Sequence, residues 1–278
     1  MRVLVFLNGK FIPEEQATVS VLDRSFCLGD GVFEVLPIYY GKLFLLEKHI
    51  ERLQAGAAFL KINIPFSPEV VCDFAKQLLR ENEVSKGMLR LQLSRGVGQR
   101  GYSAKGADSP TMVMTLHTAR TTSSTAKLIT STIRIPVNDP LSKFKTCSKL
   151  SHVVARTEAD EHGADEALLL NTDGNIAEAT SSNFFWIENK TVCTSPLESG
   201  ALPGVTRAFV FKLCHELGIA LLEKNAPPLL LSRAEGAFLT SSGSGIREVS
   251  QLDEQKIRHS VLTEKLSEAY LKYVEGSD

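Results

Sequence analysis

The stretch of residues 141–186 decides how the rest of the chain is interpreted; it reads LSKFKTCSKLSHVVARTEADEHGADEALLLNTDGNIAEATSSNFFW. It begins with a lysine cluster and continues with a pattern that predicts a helix over 146–161. Two apolar runs follow, and they predict strands over 167–170 and 176–187. Glu178 lies in the second predicted strand. The stretch therefore supplies a lysine amine and a carboxylate as candidates for one chemical site.

The composition is that of an ordinary globular protein. The 278 residues are 43% hydrophobic and 23% charged, and the net charge of −1 gives no reason to expect nucleic acid as a partner. Five scattered cysteines without zinc-ligand spacing predict a reduced, cytoplasmic protein with no metal site. No apolar run of about 18 residues is present, so we expect no membrane partner.

The segments around this stretch alternate between strand and helix patterns. Ile50, Leu53 and Ala57 recur at helical spacing, whereas short apolar runs bounded by turn residues predict strands. We predict an α+β fold with mixed, mostly antiparallel sheets and flanking helices. The predicted parts are a smaller N-terminal α/β domain at 1–118, a Ser/Thr-rich linker at 119–126, and a larger C-terminal domain at 127–278 that carries the lysine cluster.

The lysine cluster suits chemistry at the α-carbon of an amine. Side chains alone do this poorly, whereas pyridoxal 5'-phosphate (PLP) supplies an electron sink and is held through a lysine Schiff base, with a charged partner for its ring nitrogen. Mutual repulsion among Lys143, Lys145 and Lys149 would favour a free amine. From the residues alone, each of the three lysines is a candidate.

A phosphate group needs free backbone N–H groups, hydroxyls and an arginine. Residues 203–206, Pro-Gly-Val-Thr, begin a predicted helix, so they offer free backbone N–H groups and the hydroxyl of Thr206. Ser241 and Ser242, beside glycines, offer a second set of donors, and Arg52 could supply the charge. The sequence contains no complete dinucleotide fingerprint, phosphate-binding P-loop or nucleophile elbow that would favour another cofactor or reaction.

Eight motifs, in this order and spacing, resemble the class IV (fold-type IV) PLP enzymes, which include branched-chain aminotransferases, D-amino-acid aminotransferases and 4-amino-4-deoxychorismate lyases. The motifs are DRSFCLGDGVFEV, EKHIERL, SRGVGQRGY, FKTCSKL, GADEALLL, IAEATSSNFFW, LPGVTR and FLTSSGSGI. The resemblance implies a two-domain, D-amino-acid aminotransferase-like fold. It also implies PLP as cofactor, small amino and keto acids as substrates, and a homodimer.

The resemblance also implies roles for individual residues. Its register before the GADEA segment selects Lys145 as the catalytic Schiff-base lysine, and Lys149 is the nearest competitor. Glu178 is expected to pair with the ring nitrogen. The other residues implied at the cofactor are Arg52, Val205, Thr206 and Ser242. Those expected at the substrate are Phe33, Arg100, Tyr102 and Ser241.

Two activities remain open within this resemblance. The GDGVFEV motif is more like the aminotransferases, whereas SRGVGQRGYS is more like the aminodeoxychorismate lyases, which release p-aminobenzoate and pyruvate. Arg100 and Tyr102 stand where D-amino-acid aminotransferases have an Arg-x-His pair, which speaks against D-amino-acid specificity. We expect an aminotransferase rather than a lyase. A non-catalytic protein of the same fold would be expected to lack Lys145 or Glu178, and both are present.

Overall fold

The computed structural model of this protein describes residues 3–119 and 123–276. The chain divides into two compact units. Unit 1 comprises Met1–Arg120 and Phe144–Lys149, and unit 2 comprises Thr121–Lys143 and Leu150–Asp278. Within the predicted linker 119–126, residues 120–122 lie outside the described part. The sequence led us to place Lys145 in the C-terminal domain, but its segment groups with unit 1.

In its described residues, unit 1 contains an antiparallel sheet and three α-helices. The strands are β1 (Leu4–Leu7), β2 (Lys10–Pro13), β3 (Gly31–Tyr39), β4 (Lys42–Leu43), β5 (Gly87–Ser94) and β6 (Thr111–His117). They lie in the order β2-β1-β6-β5-β3-β4. The helices are α1 (Arg24–Leu28), α2 (Leu46–Leu60) and α3 (Pro68–Glu81).

The core of unit 1 lies between one face of this sheet and the helices α2 and α3. Strand alternation turns Val32, Leu36 and Ile38 of β3 to this face, where they are buried. The apolar stripe of α2 packs in the same cluster, as its spacing predicts. Ser67 caps α3 by accepting a hydrogen bond from the Val70 N–H, and Pro68 occupies the first turn. The opposite sheet face carries Phe33 of β3 and Arg90 and Gln92 of β5, whereas Glu34 points to the helix side.

Unit 2 contains a larger, mixed sheet. Its strands are β7 (Thr125–Ile135), β8 (Glu166–Asn171), β9 (Ile176–Ala179), β10 (Asn183–Glu188), β11 (Thr191–Thr194), β12 (Leu221–Glu223), β13 (Gly236–Ser241), β14 (Gly245–Leu252) and β15 (Gln255–Lys256). The order is β12-β11-β10-β13-β14-β7-β8-β9, and β15 pairs with β14. Three pairings, β11–β12, β14–β7 and β7–β8, are parallel. The helices are α4 (Leu150–Glu161), α5 (Val205–Glu216) and α6 (Val261–Glu275).

These elements confirm the predicted α+β class with mixed, mostly antiparallel sheets, but two predicted boundaries are wrong. The helix expected over 146–161 begins only at Leu150, because the residues before it pair with a strand. The strand expected over 176–187 is interrupted after Ala179, where the Thr180 and Ser181 hydroxyls donate hydrogen bonds to Glu166. In the described ranges, no helix has the length and apolar character needed to span a membrane.

Candidate active site

The segment that carries Lys145 lies along the edge of β3 in unit 1. The Phe33 N–H donates to the Lys145 carbonyl at 2.9 Å, and the Cys147 N–H donates to the Gly31 carbonyl at 2.9 Å. Val32 and Thr146 form the antiparallel bridge between these two bonds. Strand β4 covers only the far end of β3, so the lysine segment occupies the edge that β4 leaves open. The backbone at Lys145 is therefore fixed by sheet pairing.

The Lys145 amine lies over the face of an aromatic ring. Its Nζ is 4.7 Å from the centroid of the Phe33 ring, and the Arg90 guanidinium carbon is 4.1 Å from the same centroid. Arg90 also donates to Gln92 Oε1 at 2.9 Å, and burial lowers the pKa of Arg90 below its usual value. Arg90 was missed in the sequence. Its signal is the alternation of polar Arg90 and Gln92 with buried leucines along β5.

Arg52 is held by a buried carboxylate. Its Nε and Nη2 donate to the two oxygens of Glu34 at 2.7 and 2.6 Å, and His49 Nδ1 lies 2.7 Å from Glu34 Oε2. Burial acts to raise the pKa of Glu34, but Arg52 and His49 hold it below its usual range. Burial also lowers the pKa of His49, so a neutral ring donates its Nδ1 proton. The sequence pointed to Arg52 and missed both partners.

Arg100 and Tyr102 lie on an exposed loop of unit 1 between β5 and β6. Both side chains are exposed, and 90% of the Tyr102 surface is accessible. The loop backbone is bound by the buried side chain of Arg24. Phe33, the third substrate candidate of this unit, lies instead on β3 beside the Lys145 amine.

In unit 2, both carboxylate oxygens of Glu178 have a hydrogen-bond partner. The Leu202 N–H donates to Oε2 at 2.9 Å, and His152 Nε2 lies 3.1 Å from Oε1. Glu178 projects from β9, which pairs with β8 opposite Leu169, and it is largely buried. The two bonds fix the plane of the carboxylate. His152 was missed because a single histidine on a helix gives no sequence signal of its partner.

Val205 and Thr206 begin α5, and both are buried. Gly204 precedes them and has no side chain to cap the helix, so the first N–H groups are left for another acceptor. Asn183 fixes this turn by donating from Nδ2 to the Leu202 carbonyl at 2.8 Å. A Cβ atom on residue 204 would lie 2.0 Å from Asn183 Oδ1, so any other residue would have to displace the Asn183 side chain.

Ser241 ends β13, Ser242 begins the turn to β14, and α5 packs against β13. The Ser241 hydroxyl lies 2.9 Å from the Ser244 hydroxyl and accepts from the Ser244 N–H at 3.2 Å. Ser242 is partly exposed at the tip of this turn. Thr240, which precedes Ser241, is 1% exposed. Within residues 3–119 and 123–276, its hydroxyl has no hydrogen-bond partner. Such a buried hydroxyl is available to a ligand oxygen.

Comparison with known proteins supplies the family. The model of the family described as amino-transferase class IV matches residues 31–252. The chain belongs to the class IV aminotransferase family. It is 33% identical to a putative branched-chain-amino-acid aminotransferase of Methanocaldococcus jannaschii, over 96% of this chain and 94% of that protein. It is 29% identical to the aminodeoxychorismate lyase of Bacillus subtilis, over 90% of this chain and 87% of the lyase.

A solved structure agrees with this assignment. The branched-chain aminotransferase from the thermophilic archaeon Thermoproteus uzoniensis, crystallised with norvaline, superposes with a TM-score of 0.94 and 26% identity. The match covers 100% of this chain and 96% of that chain. The fold is therefore that of the fold-type IV aminotransferases, whose activity is PLP-dependent transamination.

Each unit of this class IV family member carries groups of the kinds that the family's cofactor needs. Lys145 offers a primary amine on a fixed backbone, and Glu178 offers an oriented carboxylate. The uncapped start of α5 and the buried Thr240 hydroxyl are donors suited to phosphate oxygens. Among the described residues no group of three or more histidine, cysteine, aspartate or glutamate side chains could hold a metal ion.

Proposed function

We propose that this chain binds PLP and moves an amino group between an amino acid and a 2-keto acid. The observation that carries the proposal is Lys145, whose backbone is pinned to β3 and whose amine lies over Phe33 beside Arg90. When bound, PLP supplies the electron sink for negative charge at the substrate α-carbon. The surrounding residues supply binding, orientation and proton transfer.

Lys145 and Glu178 have different roles in this proposal. Lys145 would hold the cofactor through its amine, and that amine, once free, would move the substrate α-proton as general base and then general acid. Glu178 holds the proton on the ring nitrogen with a carboxylate that Leu202 and His152 orient. Arg52, Val205, Thr206 and Ser242 are proposed to bind the phosphate, as the class IV motifs imply.

The proposed substrate residues are cationic or aromatic, apart from one serine. Arg90 adds a partly buried guanidinium beside the amine, a second cation besides Arg100 that is suited to a substrate carboxylate. Phe33, Arg100, Tyr102 and Ser241 remain proposals from the sequence. We also propose that the protein is soluble, dimeric and cytoplasmic.

The cofactor assignment is tested by trapping. The protein is loaded with PLP, reduced with borohydride and digested, and the phosphopyridoxyl group is located by mass spectrometry. We expect it on Lys145; Lys145→Ala should lose the label, and the matched variant Lys149→Ala should keep it. A label on Lys149, or on no lysine, would overturn the assignment.

A second activity has support of its own, because the Bacillus subtilis lyase matches 90% of this chain. Adding an amino acid without a keto acid distinguishes the aminotransferase from the lyase. Conversion of bound PLP to pyridoxamine phosphate, measured after denaturation and chromatography, indicates transamination. Formation of pyruvate and p-aminobenzoate from aminodeoxychorismate without that conversion indicates the lyase.

A further inference from the structure

The side chain of Arg24 binds three consecutive carbonyl groups of the loop between β5 and β6. Its Nη1 donates to the carbonyls of Gly101 at 3.1 Å and Ser103 at 3.0 Å, and its Nη2 donates to that of Tyr102 at 3.1 Å. Only 6% of the Arg24 side chain is exposed. A buried guanidinium needs acceptors for its donors, and here the loop backbone provides most of them.

Arg24 is itself fixed by a buried ion network. Its Nε donates to Asp30 Oδ2 at 2.7 Å, and Arg95 donates to both Asp30 oxygens at 2.8 and 3.1 Å. Arg95 also donates to the Leu60 and Lys61 carbonyls at the end of α2, at 2.7 and 3.0 Å. Although burial acts to raise the pKa of Asp30, the two arginines hold it below its usual value. The anchor of Arg24 therefore stays ionised at neutral pH.

Apart from the contacts of Arg24, the loop beyond Gly98 has local hydrogen bonds: the Lys105 N–H donates to Ser103 Oγ at 3.3 Å and the Ala107 N–H to the Ala104 carbonyl at 3.2 Å. Gly101 and Gly106 have positive φ angles of 99° and 75°, and residues 99–106 belong to no strand or helix. The Arg100 and Tyr102 side chains are exposed. The contacts of Arg24 go to backbone carbonyls, so they fix the path of the loop whatever side chains it carries.

We propose that Arg24 is a positioning residue that holds residues 101–103 so that Arg100 and Tyr102 are pre-ordered to receive the substrate carboxylate. The inference rests on the proposed function for the role of Arg100 and Tyr102. Pre-ordering lowers the entropy that a loop loses when a ligand binds. Without the anchor, the loop should sample many conformations, and KM should rise while kcat changes little.

Limited trypsin digestion tests the anchor without reference to activity, because the loop contains cleavage sites after Arg100 and Lys105. Arg24→Lys keeps the positive charge and the overall number of tryptic sites, yet it cannot reach three carbonyls. We expect cleavage after Arg100 to quicken by about tenfold or more, since proteolysis follows local opening. The matched variant Arg80→Lys, at an exposed position on α3, should cleave at the wild-type rate.

A second variant guards against misfolding in Arg24→Lys. In Arg24→Ala, millimolar guanidinium should slow cleavage after Arg100 by a larger factor than in the wild-type protein, the comparison that corrects for guanidinium bound in the arginine pocket of trypsin itself. Equal urea, a neutral molecule of similar shape, should not. An unchanged cleavage rate in both variants, or equal effects of guanidinium and urea, would overturn the anchoring role.

A double-mutant cycle links the anchor to the substrate. Arg24→Lys should raise KM for the keto acid by about tenfold, and this effect should vanish in the Arg100→Ala background if Arg24 acts through Arg100. Additive effects would overturn the positioning role. If Arg24→Lys speeds cleavage of the loop but the wild-type protein has no transaminase activity, the proposed function is overturned and the anchoring role of Arg24 stands.

Discussion

At the residue scale, Glu178 and His152 of unit 2 show how one hydrogen bond can orient a functional carboxylate. Glu178 is useful to a ring nitrogen only while it is ionised and correctly aimed. Its two oxygens bind the Leu202 N–H and His152 Nε2, so its orientation is set before any ligand arrives. Such pre-orientation is the main way in which a protein adds to the chemistry of a cofactor.

We expect Glu178→Gln to lower kcat by roughly 10²-fold, the effect of removing one pre-oriented electrostatic partner. The affinity for PLP should change much less, because the amine and the phosphate donors remain. Stopped-flow half-reactions and fluorescence titration with PLP measure the two quantities. Equal losses in kcat and in PLP affinity would contradict the proposed role of Glu178.

His152 is expected to act through Glu178. His152→Leu removes one hydrogen bond to a carboxylate and should lower kcat about 5- to 10-fold, which corresponds to about 1 to 1.4 kcal/mol. His152→Gln retains an N–H donor and should restore most of the rate. If both variants lose the same activity, the hydrogen bond to Glu178 is not what His152 contributes.

Sequence motifs identified the residues that family members share, and missed the partners that orient them. Lys145, Arg52 and Glu178 stand in recognisable motifs. Among their partners, His152 lies outside the motifs, and Glu34 lies within DRSFCLGDGVFEV but gives no sign there that it pairs with Arg52. A sequence shows that a residue is charged, but burial and pairing depend on contacts between residues that are distant along the chain.

At the element scale, β3 organises unit 1. One face packs on α2 with Val32, Leu36 and Ile38, and its edge binds the lysine segment. The sequence pattern assigned residues 146–149 to a helix, but in the structure Thr146 pairs with Val32 of β3, because tertiary pairing with a strand overrides local helical preference. The site lysine therefore owes its fixed backbone to a non-local contact.

The buried contacts of Glu34 on β3 with His49 and Arg52 on α2 should make the stability of unit 1 sensitive to acid. The lowered pKa of Glu34 means that its contribution to stability is complete above about pH 4.3, the unfolded value, and is lost as the pH falls further. His49 adds to the same trend: its pKa is lowered in the fold, so the unfolded chain takes up its proton first as the pH falls through about 6.5.

We expect Glu34→Gln to lower the free energy of unfolding by about 3 kcal/mol at pH 7, because it leaves the Arg52 charge poorly compensated. The variant should also lose stability less steeply below about pH 4.3, the ordinary glutamate value. Urea unfolding over a pH series measures both effects. The control is Glu51→Gln on α2, which removes an exposed partner of Lys48. It should change the free energy of unfolding by less than about 0.5 kcal/mol. An unaltered acid slope in Glu34→Gln would contradict this assignment.

At the scale of the whole molecule, the α+β class and the mixed sheets followed from the order of strand and helix patterns. The parallel pairings β7–β8 and β14–β7 did not, because local pattern shows where a strand is and not which strand it meets. The homodimer stays a prediction. It has one structural argument in unit 1, a run of exposed apolar side chains between residues 19 and 28: Val19, Val21, Leu22, Phe26 and Leu28.

A clustered apolar surface of this kind is unusual on a monomer and typical of an interface. Phe26 is 77% exposed, and a large aromatic side chain at the centre of an interface supplies much of its binding energy. We expect the wild-type protein to elute at twice the chain mass in light scattering, and Phe26→Asp to shift it towards the monomer. Tyr40→Asp is the matched control, since Tyr40 is 70% exposed in a turn whose positive φ of 52° aspartate tolerates. A monomeric wild-type protein, or a Phe26→Asp variant as dimeric as Tyr40→Asp, would show that this surface does not join two copies of the chain.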